Sequence, residues 1–283
     1  MRRILLAGAT GYLGKYVLST LVKRKIQTRI LVRNPNKLDH ELLNNELVEV
    51  KKAEVTDPGT LVKCCEGVDT VISSIGITRQ KDGLTYMDVD YQANLNLLNE
   101  AKRSEVRKFI YVSVLNGEKL KILKICEAKE KFVTELKASG LAYCVIRPNG
   151  FFSDMTEFYK MAKSGRVYLF GKGNLKSNPI HGKDLAIECV DAIDGEFKEF
   201  NIGGPQVLTQ NEIAEIACDA AHKKPSIVHL PDWIRRVILK AVRVFMNDQK
   251  YGPIEFFMTV MAMDMIAPEY GRHTLKAYYD ELK

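Results

Sequence analysis

The stretch Gly8-Ala9-Thr10-Gly11-Tyr12-Leu13-Gly14 constrains this chain more than any other. It stands between an apolar run, Ile4-Leu5-Leu6-Ala7, and a helical pattern that opens near Tyr12. A short buried strand, a glycine-rich turn and a helix N-terminus together make a phosphate cradle. Unpaired N–H groups and the positive end of the helix dipole converge where glycines admit an anionic backbone. A turn of this kind directly after the first strand predicts a dinucleotide-binding α/β fold, a Rossmann-type doubly wound parallel sheet. Gly8, Thr10, Gly11, Tyr12, Leu13 and Gly14 are its expected cofactor contacts.

At 283 residues the chain has room for a nucleotide-binding core over 1–150 and a smaller substrate-side region over 151–283, interleaved with the core and ending in helices. The net charge of +7 comes from Lys and Arg spread along the whole sequence, so no nucleic-acid arm is expected. The six cysteines have no metal-ligand spacing, and Cys64 and Cys65 are adjacent, which predicts reduced thiols and no metal site. No apolar run reaches the roughly 18 residues of a membrane span. A cytoplasmic location is the expectation, and the oligomeric state stays open.

The pattern then predicts a strand over 27–32 that ends at Arg33. An NAD-selective fold places an acid about 20 residues beyond the glycines to grip the ribose 2′-hydroxyl, whereas an arginine there receives a 2′-phosphate. Arg33 stands at that distance, Ala7 to Asn36 contain no acid, and Lys37 adds a second cation. NADP(H) is therefore the expected cofactor. A third strand, Leu47–Val50, leads to Glu54 and Val55, an acid and an apolar neighbour suited to the adenine. Pro58 is expected to start a helix through Cys65. A fourth strand runs from Asp69 into Ser74-Ile75-Gly76, whose small side chains leave room for a flat ring or a pyrophosphate. The polar loop 78–83 reads as a lid, and a long helix follows over 86–103.

A fifth strand, Lys108–Ser113, ends in a serine. In the next helix, 121–138, the residues Ile122, Ile125, Cys126, Phe132, Val133 and Leu136 form an apolar stripe with Lys129 in its middle. An ammonium on a buried face needs a partner, so Lys129 is either ion-paired within the fold or turned to a ligand. A sixth strand, 142–147, leads into Pro148-Asn149-Gly150-Phe151, a turn beyond a carboxyl end where ligands bind in open α/β sheets.

Gly8–Gly14, Arg33, Ser113, Lys129, Arg147–Phe152 and Pro179–Ala186 together resemble an atypical short-chain dehydrogenase/reductase of the NmrA-like, NAD(P)-binding type, in consistent order over roughly residues 1–230. The resemblance implies that Ser113 and Lys129 are catalytic, that Lys129 also holds the nicotinamide ribose, and that Pro148, Asn149, Gly150 and Phe151 line the nicotinamide. Typical relatives add a tyrosine four residues before the lysine. Here that position is Ile125. Reducing a carbonyl leaves an alkoxide that needs a proton from a positioned acid. Isoleucine cannot supply it, so the acid is Lys129 itself, a tyrosine from elsewhere (Tyr86, Tyr111 or Tyr159), or absent. His181, at its position in the resembling family, is expected to be structural.

The last fifty residues carry a basic amphipathic helix, Trp233–Phe245, with Arg236, Lys240 and Arg243 read as opposite Trp233, Val237, Ala241 and Val244, and a methionine-rich segment, 256–266. The first suits either an anionic membrane surface, through 233–246, or a packed cap helix. The second suits core filling or an adaptable apolar pocket. Three functions follow: an NADP(H)-dependent oxidoreductase, a reductase of a small or lipophilic, apolar acceptor molecule; a non-catalytic NADP(H)-binding regulatory or assembly protein; or a sugar-nucleotide epimerase or dehydratase.

Overall fold

A computed structural model describes residues 2–77, 83–246 and 248–282. The expected lid, 78–83, falls outside the described residues apart from Gly83. In chain order the elements are β1 (Arg3–Ala7), α1 (Tyr12–Lys23), β2 (Gln27–Val32), α2 (His40–Leu43), β3 (Val48–Lys52), β4 (Thr70–Ser73), α3 (Asn94–Arg103), β5 (Lys108–Val112), α4 (Lys124–Lys137) and β6 (Ala142–Pro148). They continue with α5 (Phe152–Lys163), β7 (Val167–Phe170), β8 (Lys176–Ser177), α6 (Gly182–Asp191), β9 (Glu199–Ile202), β10 (Leu208–Thr209), α7 (Gln210–Ala220) and β11 (Ile227–Leu230). The chain closes with α8 (Asp232–Phe245), α9 (Asp248–Val260) and α10 (Leu275–Asp280).

Two units emerge: Met1–Arg147 with Leu185–Phe200, and Pro148–Asp184 with Asn201–Lys283. The first holds the Rossmann core. Its sheet has the order β3-β2-β1-β4-β5-β6-β9, with parallel pairing from β3 through β6. β1, β4 and β5 are buried almost throughout because both faces of the sheet are covered. Leu5, Val71, Phe109, Tyr111 and Val145 point to one face, where they share a core with Val89, Ala93 and Leu97 and with Phe132, Val133 and Leu136 of α4. Parallel strands place all their carboxyl ends at one edge, and the order reverses between β1 and β4. That edge carries Gly8, Arg33, Ser74 and Ser113.

Several boundaries differ from the sequence reading. Beyond Pro58 there is a 3₁₀ turn, Pro58–Leu61, rather than a helix to Cys65. Lys63 explains the difference: its backbone stands at φ +61°, in the left-handed region, which interrupts a right-handed helix. The chain beyond it is held by the Arg29 guanidinium, which donates to the carbonyls of Cys64 and Glu66 at 2.7 and 3.0 Å. The helix expected over 86–103 opens with a wide π-helical turn, Met87–Ala93. Ile122 is 88% exposed and precedes α4, so it is not part of the buried stripe.

The second unit has its own core, in which Phe152, Phe158 and Tyr159 of α5 meet Ile213, Ala214 and Ala217 of α7 and Leu275 and Tyr279 of α10. His181 is buried there, stacked on His273 with ring centroids 4.6 Å apart. Its Nδ1 accepts the Lys183 N–H at 2.9 Å. These contacts hold the ring within the second unit.

Candidate functional site

The glycine turn joins β1 to α1. Gly8 sits at φ +91°, and a side chain there would stand 2.6 Å from Ser74 Oγ. A Cβ on Gly14 would meet the Gly8 carbonyl oxygen at 2.0 Å. Both glycines are therefore required for the first turn of α1 to close on the end of β1. Gly11, at the N-cap, supplies no side-chain cap, and the first turn of α1 has no acid. A 12-residue helix thus begins with neither a capping side chain nor an acid set against its dipole, which suits an anionic phosphate. Ser74 closes the other side of this crevice, its backbone N–H donating to the Ala7 carbonyl at 3.0 Å.

Arg33, just past β2, is exposed and faces Glu54 across a loose 3.6 Å ion pair. An exposed pair of that length contributes little, so the guanidinium is free to exchange its partner for a phosphate. Lys37 is exposed on the adjoining 3₁₀ turn, Pro35–Lys37. The Rossmann unit therefore fits a dinucleotide: α1 would hold the pyrophosphate and Arg33 a 2′-phosphate.

The buried lysine has an acidic partner. Lys129 Nζ lies 2.8 Å from Asp90 Oδ1, with Asp90 fully buried and the lysine side chain 11% exposed. Asp90 Oδ2 accepts the Ile77 N–H at 3.2 Å. The backbone of Gly76 is pressed against the pair, since a Cβ there would lie 2.7 Å from Asp90 Oδ1 and 2.8 Å from Lys129 Nζ. Tyr111 completes the cluster: its ring centroid is 5.6 Å from Lys129 Nζ, and its buried hydroxyl has no aligned hydrogen-bond partner among the described residues. Burial works against the charge on Lys129, but the Asp90 carboxylate, with the Tyr111 hydroxyl beside it, outweighs burial and holds the ammonium well above the ordinary lysine range. Burial pushes the Asp90 carboxyl up, against the pull of Lys129, and pushes the Tyr111 phenol up.

Ser113 belongs to a different network. Its hydroxyl donates to Glu130 Oε1 at 3.3 Å and accepts from Arg147 Nη1 at 3.4 Å. Arg147 Nη2 donates to Glu130 Oε2 at 2.8 Å, and Arg147 also pairs with Glu199. Ser113 is thus engaged in a buried ion-pair network that ties α4 to β5, β6 and β9. Ile125 is buried and contributes only packing. Of the three alternative tyrosines, Tyr111 joins the lysine cluster, Tyr86 is buried just before the π-helical turn, and Tyr159 stacks on Tyr279 in the second unit.

Pro148 to Phe151 lie in the second unit, where Asn149 is turned inward. Its amide nitrogen donates to Asn178 Oδ1 at 2.8 Å and to the Met265 carbonyl at 2.6 Å. Its Oδ1 accepts the Gly150 N–H at 2.8 Å. That side chain is committed to the fold, and so is the turn's backbone: the Asn149 N–H donates to the Ile202 carbonyl at 2.9 Å, the Gly150 carbonyl accepts the Ile180 N–H at 2.9 Å, and the Phe151 N–H donates to Asp154 Oδ2 at 3.0 Å.

Asp90 was the residue the sequence reading missed. Its signal was the mirror of Lys129: an acid at the head of the buried row Asp90, Asn94, Leu97, Ala101. The row is spaced as one helical face.

The sequence model of the NAD(P)H-binding family matches residues 8–196. The chain belongs to the NAD(P)H-binding family. Within that family, it is 27% identical over 300 residues to the chloroplastic divinyl chlorophyllide a 8-vinyl-reductase of Arabidopsis thaliana, covering 96% of this chain and 72% of the relative. It is 24% identical over 239 residues to the photosystem II assembly factor Ycf39 of Trieres chinensis, covering 83% of this chain and 74% of that protein. Its fold is that of the NADPH-dependent quinone oxidoreductase QOR2 of Escherichia coli, solved with NADPH, at a TM-score of 0.73, 20% identity and 99% coverage of both chains.

Proposed function

We propose that this member of the NAD(P)H-binding family is an NADP(H)-dependent reductase of a small, apolar acceptor whose reducible bond is conjugated. One observation carries the reading: neither Lys129 nor Tyr111, the two groups of the cluster that could stand in for the missing tyrosine, is a proton donor of ordinary strength. Position 125 is isoleucine. Asp90 holds Lys129 as a standing cation, and a lysine so stabilised is a weak acid. Tyr111 is buried and its phenol is also pushed up.

When bound, the cofactor supplies a hydride. The chain's part is to bind and orient. The N-terminus of α1 and Arg33 fix the phosphates, and the Lys129 ammonium spends one of its three N–H groups on Asp90 and keeps the others for a ribose or acceptor oxygen. An isolated ketone would demand a proton at its oxygen as reduction proceeds. A conjugated carbon–carbon double bond or a quinone spreads the developing charge and can take its proton from water. The likeness to a vinyl-reductase over nearly the whole chain supports the same acceptor class. A cytoplasmic location, with residues 233–246 against a membrane where an apolar acceptor would partition, completes the reading.

The test is NADPH oxidation against a panel of vinyl tetrapyrroles, quinones and simple ketones, with wild type and Lys129→Ala. Turnover of conjugated acceptors but not ketones is expected, with Lys129→Ala raising KM for NADPH. Turnover of simple ketones would overturn the acid-free reading. NADPH binding without turnover across the panel would favour a non-catalytic assembly protein, the reading supported by the likeness to Ycf39.

A further inference from the structure

Helix α8 exposes two rows of side chains at once. At about 100° per residue, Trp233, Val237, Ala241 and Val244 fall together, and Arg236, Lys240 and Arg243 fall beside them rather than opposite. All seven are exposed; Trp233, Val237 and Val244 are 63%, 53% and 76% exposed. The far side of the helix already has an apolar face of its own, in which Ile234, Ile238, Leu239 and Val242 are half-buried. Arg235 on that side closes onto Asp232 at 2.7 Å and onto the Met258 carbonyl of α9. Arg236 also reaches Asp232, at 2.9 Å, whereas Lys240 and Arg243 form no ion pair among the described residues. The helix is therefore packed on one face and carries a second, exposed face that is half apolar and half cationic and that no other element among the described residues covers.

The arrangement selects the occupant. A protein partner would call for an apolar centre ringed by polar groups. Here an apolar row and a basic row run side by side along a 14-residue helix, about 21 Å in length. That suits a planar boundary between hydrocarbon and charged headgroups. We propose that α8 lies in the plane of a membrane that bears anionic lipid. Trp233, Val237 and Val244 enter the acyl boundary, while Lys240, Arg243 and the outer part of Arg236 meet the headgroup phosphates and carboxylates. This deepens the membrane contact of the proposed function by naming its residues and its lipid class, and its test involves no turnover.

Trp233 is the chain's one tryptophan, so the emission of the unmodified full-length protein reads this face. The probes are phosphatidylcholine vesicles with and without about one-third phosphatidylserine, plus the same vesicles carrying bromines near the headgroup end of the acyl chains. With phosphatidylserine present, a blue shift, bromine quenching and co-sedimentation are expected, all weakened by high salt. Each cation near an anionic surface is worth about fivefold in partitioning, so Lys240→Glu/Arg243→Glu should lower binding by about 25-fold or more. Val237→Ser/Val244→Ser should lose quenching while circular dichroism and NADPH affinity stay as in wild type. An emission maximum that ignores the vesicles overturns the proposal, as does binding that survives the charge reversal. Concentration-dependent self-association that shields Trp233 in buffer also overturns it, because the face would then belong to a second copy. Absence of turnover in a protein that passes the vesicle test would sink the reductase reading and leave this one standing.

Discussion

Replacing Asp90 by asparagine keeps the side chain's shape and an acceptor for the Ile77 N–H, but removes the charge 2.8 Å from Lys129 Nζ. At that separation and an effective dielectric of about 20, the attraction is about 6 kcal/mol. Part of it offsets the desolvation of both groups, so Asp90→Asn should destabilise the Rossmann unit by about 3–5 kcal/mol near neutral pH, as for other buried pairs orphaned on one side. The pH dependence is a second, independent handle. In wild type the folded-state pKa of Lys129 lies above its ordinary value of 10.5. The stability it contributes is therefore complete below that value and fades only as pH rises through the higher folded value. In the variant, burial acts on Lys129 with only the Tyr111 hydroxyl against it, which should lower its folded pKa below the unfolded one, so the variant should recover stability as pH approaches 10 and the gap should shrink. Urea unfolding followed by far-UV circular dichroism at neutral and alkaline pH measures both, since the tryptophan lies in the other unit. Asp90→Leu combined with Lys129→Met removes both charges and should restore stability to within about 2 kcal/mol of wild type. A deficit for Asp90→Asn below about 1 kcal/mol at neutral pH, or one that does not shrink on raising it, would refute the paired-cation account of Lys129.

Arg33→Ala should leave stability within about 0.5 kcal/mol, because its 3.6 Å pair with Glu54 is exposed, yet weaken NADPH binding by about 10–100-fold with NADH unchanged; equal losses for both cofactors in fluorescence titrations would remove the 2′-phosphate role. Gly14→Ala places a carbon 2.0 Å from the Gly8 carbonyl oxygen, so thermal melts should show a loss of about 1–3 kcal/mol together with lost NADPH binding, and a variant that binds as wild type would contradict the cradle. His181 is buried, and that burial brings its pKa down from 6.5 to about 4. Protonation therefore favours the unfolded chain, and about 3 kcal/mol of stability should be lost as pH falls from 6.5 to 4. His181→Asn, which keeps an acceptor for the Lys183 N–H, should flatten that segment of the stability–pH curve, and an unchanged slope would show that His181 does not titrate there.

The succession of strands was legible because each signal is local. Apolar runs such as Ile4–Ala7 and Phe109–Val112 are bounded by turn residues and buried on both faces, and the glycine turn announces itself by spacing alone. Two-residue strands such as β8 and β10 give no periodicity to read, and the Pro58 helix stops short because Lys63 turns into the left-handed region, which no local pattern announces. In the C-terminal helix the charged and apolar positions were correctly sorted, but their relation was not. Rows one position apart lie about 100° apart on a helix, so Arg236 and Val237 are neighbours on the exposed side.

The candidate site shows the same limit in its sharpest form. Lys129 was visible as a cation in an apolar stripe, and Asp90 was equally visible as an acid heading one. Neither stripe reveals that the two helices bring these charges together over Gly76, because that contact depends on how the π-helical turn and α4 both pack over β4 and β5. The consequence is chemical. A lone lysine beside a missing tyrosine invites the role of substitute acid, whereas a lysine held by a buried carboxylate keeps its proton and can only position or stabilise. The lost tyrosine is thus not replaced within the cluster. That turns the search from a hidden proton donor to an acceptor that does not need one.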